Sequence, residues 1–209
     1  MRLLMIRHGQ SEADILKVHE GRANFSLTQL GMAQAEIMAE YVTKEFDISK
    51  IYSSTLKRAI ETAAYIDAAA KAQLILKDDL MEFNNGLLAG LPFDEAERRY
   101  PRNDNRKPHM NEYGMESELE FRFRAERVLS GILYETNPEE TIAIVSHGGM
   151  INQMIKSFLG LQIDKNPIFF TGDTGIHLLM LKNNMRYVEF LNFIPYKLSN
   201  KGIEPIWRI

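Results

Sequence analysis

The chain contains no cysteine, which excludes disulfide bonds, thiolate zinc sites and a cysteine nucleophile, and which fits a reducing compartment. Neither charge is in large excess, because 25 Lys and Arg against 28 Asp and Glu give a formal net charge of -3. This balance favours neither a nucleic acid nor an anionic membrane as a partner. The first apolar run, residues 3–6, is too short for the core of a signal peptide, and no later run approaches a membrane span. We therefore expect a cytoplasmic protein.

The length of 209 residues suits a single domain over residues 1–209, and 45% hydrophobic residues are ample for its core. Strands are predicted by the short apolar runs at 3–6, 48–52, 74–76, 141–145, 175–181 and 186–193. Helices are predicted at about 28–42, 56–70, 117–134 and 149–158, with Thr28 capping the first and the hydroxyls of residues 53–55 capping the second. This alternation predicts an α/β fold, a three-layer sandwich in which helices flank a mostly parallel central sheet.

Residues 84–116 differ in character from the rest of the chain. They contain Asn84-Asn85-Gly86, a further glycine, three prolines and the polar run 102–107. Such a stretch is typical of an irregular connection rather than of a core element. We interpret it as an inserted loop or lid, and call it the lid segment.

Two apolar runs end in the same way. Residues 3–6 lead into Arg7-His8-Gly9, and residues 141–145 lead into a serine followed by His147 and Gly148. Because open α/β sheets keep their chemistry at the carboxyl ends of strands, we expect the two imidazoles to converge on one site.

Two more charged residues follow predicted strand ends, Arg58 and Glu82. A guanidinium group can bind phosphate oxygens through two parallel hydrogen bonds, and it neutralises negative charge that grows in a transition state. An imidazole with one free nitrogen can attack phosphorus, and a carboxyl group can protonate the leaving oxygen. The remaining histidines, His19, His109 and His177, have no partner at a metal-binding spacing. The set therefore predicts phosphoryl transfer without a metal or another cofactor.

The order of these motifs resembles the histidine phosphatase superfamily, in the branch related to cofactor-dependent phosphoglycerate mutase. The resemblance covers nearly the whole chain, and its motifs stand in the family's order: Arg7-His8-Gly9-Gln10-Ser11-Glu12, Gly21-Arg22, Leu27-Thr28 with Gly31, Tyr52-Ser53-Ser54 through Arg58-Ala59, Glu82 with Gly86 and Gly90, Glu116-Ser117, and Ser146-His147-Gly148-Gly149.

The resemblance implies that His8 is the phosphorylated nucleophile, that Arg7, Arg58 and His147 form the phosphate pocket, and that Glu82 is the general acid and base. Substrate binding is assigned to the residues that line this pocket: Arg7, Gln10, Ser11, Asp14, Arg22, Arg58, His147 and Gly148. For Gln10 and Ser11 a turn-forming role is the alternative.

Asp14 departs from the family pattern, which usually has asparagine six residues after the nucleophile. A carboxylate at this position repels a phosphate dianion unless it is protonated, turned away or paired with a cation such as Arg22.

The expected function is a metal-independent phosphatase that hydrolyses small phosphorylated metabolites through a phosphohistidine. The first alternative is a cofactor-dependent phosphoglycerate mutase, although family mutases are typically longer in the lid region. The second is a catalytically silent module that binds phosphorylated ligands. The apolar C-terminal residues 203–209 can pack on their own domain or on a second copy, so a homodimer stays open.

Overall fold

A computed structural model describes residues 1–163, 166–199 and 202–207. The strands in this part of the chain are β1 (Arg2–Arg7), β2 (Ile48–Ser53), β3 (Gln73–Leu76), β4 (Thr141–Ser146), β5 (Ile176–Lys182), β6 (Met185–Phe193), β7 (Tyr196–Ser199) and β8 (Gly202–Pro205). The helices are α1 (Glu12–Leu16), α2 (Gln29–Glu45), α3 (Lys57–Ala70), α4 (Phe93–Arg99), α5 (Glu118–Glu135) and α6 (Gly148–Phe158). Short 3-10 helices cover Asp78–Leu80 and Gly86–Leu88.

The central sheet has six strands in the order β3-β2-β4-β1-β5-β6, and β7 and β8 form a separate hairpin. The β1–β4, β2–β4 and β2–β3 pairs are parallel, whereas β5 and β6 extend one edge in antiparallel pairing. The predicted α/β class with a mostly parallel central sheet is confirmed.

The two faces of the sheet are covered by different helices, because successive side chains of a strand point to opposite faces. In β1, Leu3 and Met5 pack with buried residues of α5 and α6. Leu4 and Ile6 pack with buried residues of α2 and α3 on the other face. A strand that is covered on both faces reads as the continuous apolar run seen in the sequence.

Two predicted helix starts are confirmed and a third needs correction. The Thr28 hydroxyl accepts the Gly31 N–H at 2.9 Å, and Ser117 caps α5 in a reciprocal capping box. The prediction that residues 53–55 cap α3 with their hydroxyls is wrong, because α3 begins only at Lys57 and its N-cap is Leu56. The Ser54 hydroxyl accepts the Leu56 N–H at 3.2 Å just outside the helix, and the Thr55 hydroxyl donates to Asp78 instead.

Several elements are absent from the predictions: α1, the hairpin β7–β8, and α4 within the lid segment. The C-terminal residues pack on their own chain, since the Trp207 ring lies 5.9 Å from that of Tyr41 and the Lys44 ammonium lies 4.9 Å from the Trp207 ring. Residues 208 and 209 of that predicted apolar stretch lie outside the described residues. In the described ranges, no helix combines the length and the apolar character needed to span a membrane.

Strand register places the predicted site. Arg7 pairs with Ser146 across β1 and β4, and Ser53 pairs with Val145 across β2 and β4. The carboxyl ends of the three strands therefore share one edge of the sheet, and His8 and His147 leave neighbouring strands side by side.

The loop after β1 is pressed against the start of α2 by two glycines. A Cβ on Gly31 would lie 2.1 Å from the Gln10 carbonyl oxygen, and a Cβ on Gly9 would lie 2.5 Å from the Gly31 carbonyl oxygen. We expect Gly31→Ala to force these backbones apart and to lower the free energy of unfolding by about 1–3 kcal/mol. Urea unfolding measures this change.

The matched control is Gly131→Ala in α5, where an added Cβ meets nothing within 4 Å. There alanine is the better helix former, so the free energy of unfolding is expected to rise by about 0.5–1 kcal/mol. Equal stability of Gly31→Ala and the wild type would contradict the close approach.

Candidate active site

His8 lies at the end of β1 with a hydrogen-bond partner at each ring nitrogen. Its Nδ1 is 2.8 Å from the Gly9 carbonyl oxygen, and the Arg58 Nε–H donates to its Nε2 at 3.2 Å. This hydrogen-bond network assigns the proton to Nδ1, which leaves a lone pair on Nε2. The side chain is 1% exposed.

The His8 site favours a neutral imidazole. Burial is the largest influence that lowers the pKa of His8 well below its usual value, and the charges of Arg58 and Arg7 lower it further. The hydrogen bond to the Gly9 carbonyl acts in the opposite direction. The ring therefore carries a single proton and no charge at neutral pH, as a nucleophile requires.

His147 stands beside His8 as the N-cap residue of α6, and the two ring centroids are 5.0 Å apart. Its Nε2 lies 2.8 Å from the Ser54 hydroxyl, while its Nδ1 is buried without a hydrogen-bond partner in the described structure. Burial first, then the charge of Arg58, lowers the pKa of His147 well below its usual value. The expected convergence of the two histidines is thus found in the structure.

The two arginines reach this pair from opposite sides of the sheet. Arg58, in the first turn of α3, is fully buried and donates to the carbonyl oxygens of Ala23 and Gly21 at 2.9 and 2.8 Å. Arg7 ends β1 on the α6 side and donates to the Thr171 carbonyl oxygen at 2.9 Å. Backbone carbonyls hold both guanidinium groups in place, so their orientation does not depend on a substrate.

Glu82 follows the 3-10 helix 78–80 and reaches the first turn of α6. Its carboxylate accepts the Gly149 N–H at 2.9 Å and the Phe83 N–H at 2.7 Å. Burial is the largest influence on the pKa of Arg58 and lowers it, while the charges of Glu20 and Glu82 act in the opposite direction. The structure thus brings the predicted acid to the same end of the sheet as His8 and His147.

Arg124 of α5 fixes the backbone that carries Glu82. It donates to the carbonyl oxygens of Met81 and Glu82 at 2.6 and 3.1 Å, and to both carboxylate oxygens of Glu116. The Arg124 and Glu116 side chains are only 9% and 11% exposed. The Glu116 carboxylate is therefore occupied by a largely buried ion pair.

Replacing Arg124 by methionine should leave the largely buried Glu116 without its main partner, because Arg22 lies 3.7 Å away and is 35% exposed. We expect the free energy of unfolding to fall by about 3–5 kcal/mol, as for other buried pairs that lose one member. Arg127→Met on the same helix is the control, because Arg127 pairs with Asp79 while 57% exposed. Such exposed pairs contribute at most about 1 kcal/mol. Similar losses in the two variants, measured by urea unfolding, would contradict a buried anchor at Arg124.

Three of the other predicted binding residues lie in the turn after β1 and in the first turn of α1. The Gln10 N–H donates to the Gln34 amide oxygen, and the Gln10 amide oxygen accepts the Thr28 hydroxyl, both at 2.8 Å. The Ser11 N–H donates to the Asp14 carboxylate at 2.8 Å, which makes Asp14 the third helical residue of α1's capping box. Asp14 is thus held by the turn, and these contacts fit the turn-forming alternative for Gln10 and Ser11.

The last two predicted binding residues lie on different sides of the site. Gly148 opens α6 and packs on Arg7, with its ideal Cβ position 3.9 Å from the Arg7 side chain. Arg22 lies 3.7 Å from Glu116, and burial lowers its pKa. The structure therefore places Arg22 at the base of the lid segment.

Glu20 is the residue that sequence reasoning missed. Its carboxylate lies 3.2 Å from the Arg58 Nε and 3.6 Å from the His8 Nε2, and it accepts a short hydrogen bond from the Ser11 hydroxyl. Glu20 stands in a polar segment with no periodicity, and the only signal in the sequence is a carboxylate beside Gly21-Arg22.

The lid segment borders a cavity of about 580 Å³. Aromatic and charged side chains line it, among them His19, Phe83, Phe93, Tyr100, Arg106 and Tyr113. Two of these residues directly neighbour Glu20 and Glu82 in the chain. Across the described residues, no group of three or more His, Asp or Glu side chains is arranged to hold a metal ion.

The family model of the histidine phosphatase superfamily (branch 1) matches residues 3–194. The chain belongs to this superfamily. Phosphoserine phosphatase 1 of Hydrogenobacter thermophilus is 28% identical over 196 residues, which cover 92% of each chain. A protein named uncharacterized phosphatase PhoE from Bacillus subtilis is 30% identical over 158 residues, covering 75% of this chain and 76% of its own.

A solved structure shows the same fold. A putative alpha-ribazole-5'-P phosphatase from Escherichia coli superposes with a TM-score of 0.84 at 23% identity, covering 92% of this chain and 96% of its own. Together with the family match, these relatives confirm the predicted resemblance and support a small-molecule phosphatase, a phosphoric monoester hydrolase. These comparisons do not favour the mutase alternative over the phosphatase.

Proposed function

We propose that this histidine phosphatase hydrolyses small phosphorylated metabolites through a phosphohistidine on His8, without a metal. One observation carries the proposal: the unprotonated His8 Nε2 lies in a buried cluster with His147 and a carbonyl-anchored Arg58. Such a cluster offers a nucleophile and fixed donors for the growing charge on a phosphoryl group.

In the first half-reaction, the hydrogen bond of the Arg58 Nε–H passes from His8 Nε2 to a phosphoryl oxygen. The freed Nε2 then forms a bond to phosphorus while the bond to the leaving oxygen breaks. Glu82 enters this step protonated and gives its proton to the leaving oxygen. The positive charge that develops on the imidazole is stabilised through Nδ1–H by the Gly9 carbonyl oxygen, 2.8 Å away. Arg7, Arg58 and the amino-terminal end of α6 offset the charge on the phosphoryl oxygens.

In the second half-reaction, water attacks the phosphohistidine. Glu82, now a carboxylate, takes a proton from this water, and the bond between phosphorus and His8 Nε2 breaks as phosphate forms. His147 supports both steps, because its uncharged imidazole faces His8 with a buried Nδ1 that is unpartnered in the described structure. We propose that this Nδ1 binds a phosphoryl oxygen.

A turnover assay tests the proposal. The wild type is incubated in EDTA with an aryl phosphate and with a panel of phosphorylated metabolites that includes 3-phosphoglycerate. We expect EDTA-resistant phosphate release. Conversion of 3-phosphoglycerate to its 2-isomer without phosphate release would support the mutase instead. Binding of phosphorylated ligands without turnover would overturn catalysis.

Two further assignments belong to the proposal. The absence of cysteine supports a location in the cytoplasm. The edge position of β6, with exposed Met185 and Tyr187 on one of its faces, supports pairing with a second copy in a homodimer.

A further inference from the structure

The Glu20 carboxylate lies where a phosphoryl group would meet the nucleophile. One oxygen is 3.6 Å from the His8 Nε2, and the other is 3.2 Å from the Arg58 Nε and bonded to the Ser11 hydroxyl. The Glu20 side chain is 19% exposed, whereas those of His8 and Arg58 are 1% and 0% exposed. Glu20 is therefore the more accessible partner in this cluster.

Each arginine of the pocket already has a carboxylate beside it. Arg58 faces Glu20 at 3.2 Å, and Arg7 lies 3.5 Å from Asp173. Asp14 adds a third negative charge, whose field acts on both Glu20 and Asp173. Two positive charges thus face these three carboxylates before any substrate arrives, and the Glu82 charge also acts on Arg58. A phosphoryl dianion therefore meets repulsion unless a carboxylate is neutralised.

We infer that Glu20 determines which charge state can bind: it occupies the phosphoryl position as a carboxylate and admits a phosphoryl dianion only by taking up one proton. This inference rests on the proposed function, because it assigns the phosphoryl group to the His8 and Arg58 cluster. The proton comes from solvent and turns the carboxylate into a carboxyl group. That group donates its O–H to a phosphoryl oxygen, and the Arg58 Nε–H bonds the substrate in place of Glu20 while the other two Arg58 nitrogens stay on the carbonyl oxygens of Ala23 and Gly21.

The groups that face Glu20 fit this exchange. Burial is the largest influence and raises the pKa of Glu20, Asp14 of α1 raises it further, and Arg58 of α3, the Ser11 hydroxyl and Arg7 of β1 lower it. His8 at the end of β1 also faces Glu20. A dianion that engages Arg58 removes Glu20's main counter-charge, so protonation of Glu20 and binding of the anion favour each other.

Sulfate is the probe, because it is a dianion of constant charge across the working pH range. Calorimetric titration in two buffers of different ionisation enthalpy gives the number of protons taken up with each anion. We expect about one proton fewer per sulfate in Glu20→Gln than in the wild type, and about tenfold tighter binding by the variant for each pH unit above the wild-type pKa of Glu20. Glu20→Ala is the second variant, which removes the same charge without an amide.

Glu36→Gln is the control, because it removes one exposed carboxylate from α2 and should bind sulfate as the wild type does. Equal proton uptake in the wild type and both Glu20 variants would overturn the inference, as would wild-type binding with no proton uptake. These outcomes leave phosphatase activity intact if the proposed function holds. Absence of sulfate binding in every variant would instead count against the phosphoryl site itself.

Discussion

Phosphate release is expected to fall by about 10⁴-fold or more in His8→Ala, because a nucleophile that forms a covalent intermediate has no substitute. The other imidazole, His147, is not expected to take over, because the proposed mechanism uses its Nδ1 to bind a phosphoryl oxygen and its Nε2 contacts the Ser54 hydroxyl at 2.8 Å. Steady-state assays in EDTA measure the loss. A rapid quench at alkaline pH, followed by intact-mass measurement, is expected to show a phosphorylated wild type and an unmodified variant.

His109→Ala is the matched control, because it removes an exposed histidine of the lid segment that has no place in the proposed mechanism. Its turnover should equal that of the wild type. If His8→Ala still formed a phosphoprotein, another residue would be the nucleophile. If its turnover equalled that of the wild type, covalent catalysis at His8 would be excluded.

The second large effect is expected in Glu82→Gln. The amide oxygen can still accept the Gly149 N–H, although the Phe83 N–H loses its acceptor, and no proton can be given to the leaving oxygen. For alkyl phosphates we expect kcat to fall by about 10²–10⁴-fold. For aryl phosphates with acidic leaving groups the loss should be much smaller, because such a leaving group departs without a proton. Parallel assays of the two substrate types measure the difference.

Glu116→Gln distinguishes proton transfer from simple damage to the site. Glu116 is bound by Arg124 and by the Asn84 N–H at 2.6 Å. Its replacement is expected to lower stability and to reduce turnover of aryl and alkyl phosphates alike. If Glu82→Gln also reduced both substrates equally, Glu82 would be a structural residue and the proton donor would lie elsewhere.

Much of this arrangement was predictable because it follows from local patterns. The continuous apolar runs of β1 and β4 mark strands that are covered on both faces, and the residue after each such strand must lie at the sheet edge. Thr28 and Ser117 each predict the start of a helix, because each places a hydroxyl at the N-cap position. The family motifs then connect the two histidines with Arg58 and Glu82.

The remaining features depend on contacts that local patterns do not encode. Helix α1 has five residues and the strands of the β7–β8 hairpin have four each, too few for a clear periodicity. The hydroxyls before α3 looked like caps, yet Ser54 and Thr55 bind His147 and Asp78, which are distant in sequence. Glu20 is the clearest case, since its position depends on Arg58 of α3 and on the nucleophile at once.

The register of β1 and β4 also has a consequence for folding. His8 stands near the start of the chain and His147 far downstream, yet the two meet only when Arg7 is paired with Ser146. Pairings between such distant segments form slowly, because the intervening loop must close before any contact compensates for the lost entropy. During refolding or synthesis His8 is therefore present in the chain long before the pocket around it has formed. Enzymatic activity can return no earlier than this central ladder, and it reports on the completion of the sheet.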